Sequence, residues 1–325
     1  MKIDAIARQA HFVDHILPLW LALPAARRGI FYAATGAFRP GVPKMVPGKA
    51  PPSRNPTLVA ASGDLLQSRK AGRPTAIMEH GCGQSFGGDR RSANHSSYAG
   101  GQNRDAQLFL HPGPHPAARD HARYPAARVE IVGCPKLEFL PHKSVPSDKP
   151  VLAVSFHWNC KVSPETKGAL SEFAGQVGTL ARMADYTLLG HGHPRVMPYL
   201  APWYEKKGIE VVRSFEEVCR RADLYINDAS STLFEFASTD RPVVVLNPGF
   251  YRRNIHHGLR FWEASTVGMQ VGPSDSLVLS VRKALRDPPA QRMARETALD
   301  LVYRYRTGAA KAAASALVKW ADSLA

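Results

Sequence analysis

The chain has 325 residues, 44% of them hydrophobic, and a formal net charge of +15 at neutral pH. That length can bury a sizeable core and suggests about two domains of roughly 150 residues each. The longest apolar stretch, Ile16–Leu23, follows Asp14 and His15 and falls short of the ~20 residues a helical bilayer crossing needs, so no transmembrane helix is expected.

Four cysteines, Cys82, Cys134, Cys160 and Cys219, stand far apart, which fits neither a disulfide framework nor a zinc knuckle. The opening residues lack the basic, apolar, small-residue order of a secretory signal, so a cytoplasmic protein is expected. The charge is uneven: residues 1–150 hold 20 Lys/Arg against 10 Asp/Glu, whereas 151–325 hold 22 against 17. Self-repulsion on that scale points to a polyanionic partner or an anionic surface, met mainly by the first half.

In chain order, Phe12–Leu23 reads as a helix, and Gly29–Ala34, Thr57–Ala60, Pro74–Met78 and Val129–Val132 read as strands. Two long irregular segments interrupt them: Arg39–Pro56, rich in proline and base, and Gly81–Arg104, with six glycines plus Arg90, Arg91 and Arg104. Loops of such length are usually functional or disordered. Pro141–Pro150 has the composition of a linker. The second half then alternates: strand Val151–Phe156, helix Pro164–Ala184, strand Tyr186–Gly190, helix Met197–Lys207, strand Ile209–Val212 and short helix Phe215–Arg221. Strand Asp223–Ile226, helix Ser231–Ser238 and strand Pro242–Leu246 continue the pattern, and an Ala/Arg-rich helical region runs from Pro288, ending in Ala309–Leu324. Such alternation implies an α/β class with a parallel sheet covered on both faces and ligands at its carboxyl ends. The first half reads as a second, looser Rossmann-like domain.

Chemistry-bearing residues fall at those carboxyl ends. Between strand and helix, Asp228-Ala229-Ser230-Ser231-Thr232 offers hydroxyls and exposed backbone amides, a seat for a phosphate. The plainer reading is that Asp228 or Ser230 caps the helix. Glu235, one turn on, can accept from a ribose diol or lie exposed on the helix. His191-Gly192-His193-Pro194 follows another strand, and one of its histidines can donate to phosphate; no third and fourth ligand follow at zinc spacing. His157 in Ser155-Phe156-His157-Trp158 is a further polar tip. In the first half His80, at the end of a strand, is either a general base or a capping residue beside a turn, with His11, His15, His111, His115 and His121 also available.

The motif order resembles the glycosyltransferase-B (GT-B) superfamily, most nearly its CDP-glycerol glycerophosphotransferase (teichoic-acid polymerase) family. The resemblance rests on His80-Gly81, Gly133-Cys134-Pro135-Lys136, Ser155-Phe156-His157-Trp158, His193-Pro194, Asp228-Ala229-Ser230-Ser231 and Phe234-Glu235-Phe236, over residues 75–265. The last three, with Arg241-Pro242-Val243-Val244-Val245 behind them, are the specific ones. The basic residue of the family's Pro-Thr-x-Arg motif is absent, as is its lysine-bearing continuation after His-Gly, which leaves donor and acceptor open. The architecture also resembles non-hydrolysing UDP-N-acetylglucosamine 2-epimerases, whose catalytic carboxylates are not evident here.

The resemblance implies two Rossmann-like domains facing across a cleft: 1–145 for the acceptor, 150–305 for the nucleotide-activated donor, and a helix at 306–325 returning to the first. It further implies Ser230, Ser231, Thr232 and His193 at the donor phosphates, with Asp228 and His157 beside them. Glu235 goes to the ribose, and the turn bearing Ser214 and Phe215 to the base. His80 becomes the base that deprotonates the acceptor hydroxyl, with His193 as its catalytic counterpart, and no metal or other cofactor is expected. The donor is then a nucleotide-sugar or CDP-polyol. The acceptor is a polyanion, either a phosphate-rich wall polymer or DNA carrying a modified base, gripped by Lys44, Lys49, Arg90, Arg91 and Arg104. A wall-polymer enzyme would touch the membrane peripherally around Trp20 and Arg27-Arg28. Two other readings stay open: a UDP-sugar epimerase, and a non-catalytic nucleic-acid-binding protein on the same fold.

Overall fold

The computed structural model describes all residues except 79, 82–104, 160–166 and 252–264. They divide into two compact units, 1–139 with 301–325, and 140–300.

The first unit holds β1 (Ile3–Ala7), α1 (Ala10–Ala22), β2 (Arg28–Ala33), β3 (Met45–Pro47), β4 (Thr57–Val59) and α2 (Ser62–Lys70). It continues with β5 (Thr75–Met78), β6 (Leu108–His111), α3 (Pro114–Arg123) and β7 (Arg128–Ile131). The strands pair in parallel in the order β3-β2-β1-β4-β5-β6-β7. The chain builds outward from β1 on one side, then restarts at β4 on the other, so the sheet has a switch point between β1 and β4, where parallel sheets admit ligands at their carboxyl ends. The amino edge is locked instead. Asp4 accepts from the Ile30 amide at 2.7 Å and from Arg73 Nη1 at 2.5 Å, with both ion-pair side chains buried. A Cβ on Gly29 would stand 2.0 Å from that carboxylate, so glycine is required there.

Residues 301–325 complete this unit. Ala313, Leu317 and Trp320 of a closing helix (Ala309–Asp322) share one core with Ile16, Leu19 and Trp20 of α1. Alanine at five of the helix's first six positions keeps its surface low. Close docking shows at Gly133, at φ 81°, where any side chain would meet the Tyr305 carbonyl at 2.7 Å.

The second unit holds β8 (Val151–Phe156), α4 (Leu170–Ala181), β9 (Thr187–Gly192), α5 (Met197–Lys206), β10 (Glu210–Val211) and α6 (Phe215–Arg221). Then come β11 (Leu224–Asn227), α7 (Thr232–Ala237), β12 (Val243–Leu246), β13 (Met269–Val271), α8 (Leu277–Leu285) and α9 (Pro289–Val302), whose last turn passes into the first unit. Its sheet, also parallel, runs β10-β9-β8-β11-β12-β13, which puts the switch point between β8 and β11. Both faces are covered, so β8 and β11 are buried at every residue and read as continuous apolar runs. Among the described residues no helix is long and apolar enough to cross a membrane.

Two expectations shift. The strand read as Tyr186–Gly190 runs to Gly192, which draws His191 into the sheet, and the helix read from Pro164 begins at Leu170. Strands β1, β3, β6 and β13 are not anticipated by the alternation. β1 carries Asp4 and two alanines, and its strand character depends on Arg73, 69 residues away, neutralising the buried acid.

Candidate functional site

At the carboxyl edge of the second sheet, Asp228 follows β11 and is fully buried. Its carboxylate accepts from the amides of His157 at 2.9 Å, Ala169 at 2.7 Å and Ala229 at 2.6 Å. Asp228 thus ties the loop after β8, the start of α4 and the turn into α7 on either side of the switch point. Three backbone amides engage both carboxylate oxygens, which gives Asp228 a structural task at this edge.

Beneath the turn, Asn227 accepts from the Ser230 amide at 3.1 Å and donates to the Tyr225 hydroxyl at 3.1 Å, which in turn lies 3.0 Å from Thr232 Oγ1. Burial pushes the Tyr225 phenol up, so it stays protonated as a donor. Ser230 Oγ accepts from the Thr232 amide at 3.3 Å, so this serine does cap the turn. Ser231 makes no side-chain cap bond, and Ser230, Ser231 and Thr232 are half-buried at the edge. Glu235 is 1% exposed, which overturns the reading of a solvated helical glutamate.

Two histidines stand on neighbouring strand ends, their ring centroids 5.1 Å apart. His157 Nδ1 lies 3.0 Å from the Trp158 carbonyl, which can only accept, so Nδ1 carries the proton. His193 Nδ1 accepts from the Arg195 amide at 3.2 Å, so its proton is on Nε2, a donor suited to a phosphate oxygen. His191 is buried beside Ser155 Oγ at 3.1 Å. Ser214 caps α6 through the Glu217 amide at 3.4 Å, and Phe215 packs between His191 and Tyr225, with centroids 5.9 and 5.8 Å away.

In the first unit His80 follows β5, and its Nδ1 lies 2.5 Å from the carbonyl of Ala60, the residue after β4. His11 and His15, one turn apart on α1, have ring centroids 6.3 and 6.2 Å from it. Burial, and then repulsion from His11, push His80 down to about 3; burial pushes His15 down as well. Both are neutral at pH 7. Without a bound anion His80 is therefore a weak base.

The acceptor cations divide. Lys44 precedes β3, at the amino edge of a parallel sheet, and gives Nζ to the Arg28 carbonyl at 2.7 Å, which places it away from the edge that holds His80. Lys49 follows β3 and is exposed. Arg90, Arg91 and Arg104 lie outside the described residues. The sequence reading missed Asn227 and Tyr225 as builders of the serine turn. An asparagine ahead of aspartate at a strand end is the signal that was available. Among the described residues no group of three or more His, Cys, Asp or Glu is arranged to hold a metal.

Residues 178–318 match the family profile described as CDP-Glycerol:Poly(glycerophosphate) glycerophosphotransferase. No curated protein sequence matches the chain. Among solved structures, MnaA of S. aureus in its UDP co-structure is similar at TM-score 0.65 and 14% identity, covering 100% of this chain and 97% of that one. The wall teichoic acid polymerase TagF, soaked with CDPG, is similar at TM-score 0.63 and 12% identity, covering 99% and 89%. A putative UDP-N-acetylglucosamine 2-epimerase of Listeria monocytogenes gives TM-score 0.62 at 12% identity, covering 99% and 96%. The fold is therefore GT-B-like, two Rossmann-type units shared by polymerase and epimerases alike.

Proposed function

We propose that this chain, whose residues 178–318 match the CDP-Glycerol:Poly(glycerophosphate) glycerophosphotransferase profile, is a transferase that moves a polyol phosphate from a CDP-activated donor to a hydroxyl of a phosphate-rich acceptor. The observation that carries this is the built edge of the second sheet. Half-buried Ser230 and Ser231, His193 with its proton on Nε2, and buried Glu235 stand there on a frame held by Asp228 and Asn227. In this reading the hydroxyls and His193 hold the donor phosphates and Glu235 accepts from the ribose, with Phe215 and Ser214 toward the base.

The acceptor oxygen attacks the phosphorus that bears the polyol, the bond from that phosphorus to the oxygen of CMP breaks, and CMP leaves. The acceptor's proton goes to His80 Nε2, the lone-pair nitrogen once Nδ1–H is given to Ala60. Charge on the departing phosphate is met by His193 and the serine hydroxyls, a role that needs no metal.

Of the polyanions that the +15 charge suits, the family match favours a polyol-phosphate polymer over a modified DNA base. A thermal-shift series with CDP-glycerol, UDP-N-acetylglucosamine, GDP- and dTDP-sugars tests the donor, because a ligand that binds only the folded state raises its melting temperature. CDP-glycerol alone should shift it. A shift with UDP-N-acetylglucosamine alone would favour the epimerase reading.

A further inference from the structure

β1 ends at Ala7 and β4 at Val59, the strands on either side of the first sheet's switch point. Arg8 is the residue after β1, and Asp64 stands in the first turn of α2, the helix after β4. Across that point Arg8 Nε donates to Asp64 Oδ1 at 2.7 Å. The pair is lopsided: the Asp64 side chain is 0% exposed and that of Arg8 is 52% exposed.

The same unit shows what a purely structural pair looks like. Arg73 is buried with Asp4, and its guanidinium is used up on Asp4, Thr57 Oγ1 and the Pro51 carbonyl. Arg8 makes a single side-chain hydrogen bond among the described residues, through Nε, so Nη1 and Nη2 are not engaged there. Asp64 stays costly in place. Burial pushes its carboxyl up to about 6 although Arg8 pulls the other way, and its Oδ2 is buried without a partner. A buried carboxylate that orients a half-exposed guanidinium destabilises the fold relative to an apolar residue in its place. What it secures is the direction of two N–H groups.

A fixed guanidinium takes an oxyanion in two parallel hydrogen bonds, and phosphate is the group that geometry suits. The surroundings agree. α1 begins two residues on, at Ala10, with no acid in its first turn and no side-chain cap from Gln9, so its positive end is not neutralised there. His80 stands at the next strand end, tied to Ala60, the carbonyl just past β4.

We propose that Arg8, seated on Asp64, anchors a phosphate of the acceptor, a phosphorylated polyol whose free hydroxyl then lies toward His80. This rests on the transferase reading and names the part of the acceptor that the first unit grips.

The phosphate could in chemical terms belong to acceptor or donor, and calorimetric titration separates them. Wild type, Arg8→Lys and the charge-neutral pair Arg8→Gln/Asp64→Asn are each titrated with glycerol 3-phosphate, glycerol and CDP-glycerol. Expected is that wild type binds glycerol 3-phosphate and not glycerol. Both variants should weaken glycerol 3-phosphate at least ten-fold while CDP-glycerol stays within two-fold. The proposal is overturned if wild type does not bind glycerol 3-phosphate, or if the double variant binds it equally. It is also overturned if the variants weaken CDP-glycerol instead, which would make the phosphate the donor's. Loss of CDP-glycerol binding by the wild type itself would sink the transferase reading, and is read separately from the Arg8 dependence.

Discussion

The imidazole of His80 gives Nδ1–H to the carbonyl of Ala60 at 2.5 Å, and that contact decides which nitrogen can do chemistry. Nε2 keeps the lone pair, while burial and His11 hold the ring neutral, with its pKa pushed down to about 3. A phosphate arriving beside it favours the charged form and raises that value. In the proposed reaction it is then the acceptor's phosphate, rather than the bare protein, that would raise the basicity of His80. His80→Ala should lower kcat by roughly 10²- to 10⁴-fold, the usual range for a lost general base. Titration of CDP-glycerol should show donor affinity unchanged within two-fold; an unchanged kcat removes His80 from the mechanism.

The same shift makes a stability prediction. A histidine whose folded value lies below the unfolded 6.5 contributes stability that is lost as pH falls from about 6.5 toward 3, because the unfolded chain takes up the proton first. Urea unfolding at pH 7, 5.5 and 4.5 should show a steep loss in wild type and a shallower one in His80→Gln. Parallel slopes would mean that His80 is not held neutral.

Ser230 and Ser231 separate capping from binding. Ser230 Oγ caps the turn through Thr232, whereas Ser231 makes no side-chain cap bond. Ser231→Ala should leave thermal stability unchanged and weaken CDP-glycerol by about ten-fold, the effect of one hydrogen bond to a charged group. Ser230→Ala should do the same and also cost about 1 kcal/mol of stability. Equal donor affinity in both variants would leave the serines with structural work only.

Asp228 is a clasp. Replacing it with asparagine leaves one acceptor oxygen where two serve three amides, from His157, Ala169 and Ala229. At least one buried N–H is then unpaired, at about 1–3 kcal/mol, and the second unit should melt earlier. Differential scanning calorimetry measures this; an unchanged melting temperature would show that the three bonds do not hold the edge.

How much was legible follows from where each signal lives. The second sheet could be read because its central strands, such as Leu224–Asn227, are continuous apolar runs broken by turn residues. The first sheet was read only in part, because β1 contains Asp4, whose burial is set by Arg73 and by the missing side chain at Gly29, none of them neighbours in sequence. The serine turn was found from composition. What lies beneath it, Asn227 on Tyr225 and Asp228 on three amides, depends on which loops the topology brings together. Glu235 shows the limit most plainly: helical spacing does not say that this carboxylate is buried.

The central claim, transfer of a polyol phosphate from a CDP carrier, is tested most directly by following both products at once. CDP-glycerol labelled in its glycerol is incubated with the enzyme and a short poly(glycerol phosphate) primer, and CMP release is measured beside label in the polymer. The account predicts one CMP per glycerol phosphate incorporated, with neither product formed when the primer is omitted. No CMP and no labelled polymer, or turnover of a UDP-sugar without any acceptor, would contradict it.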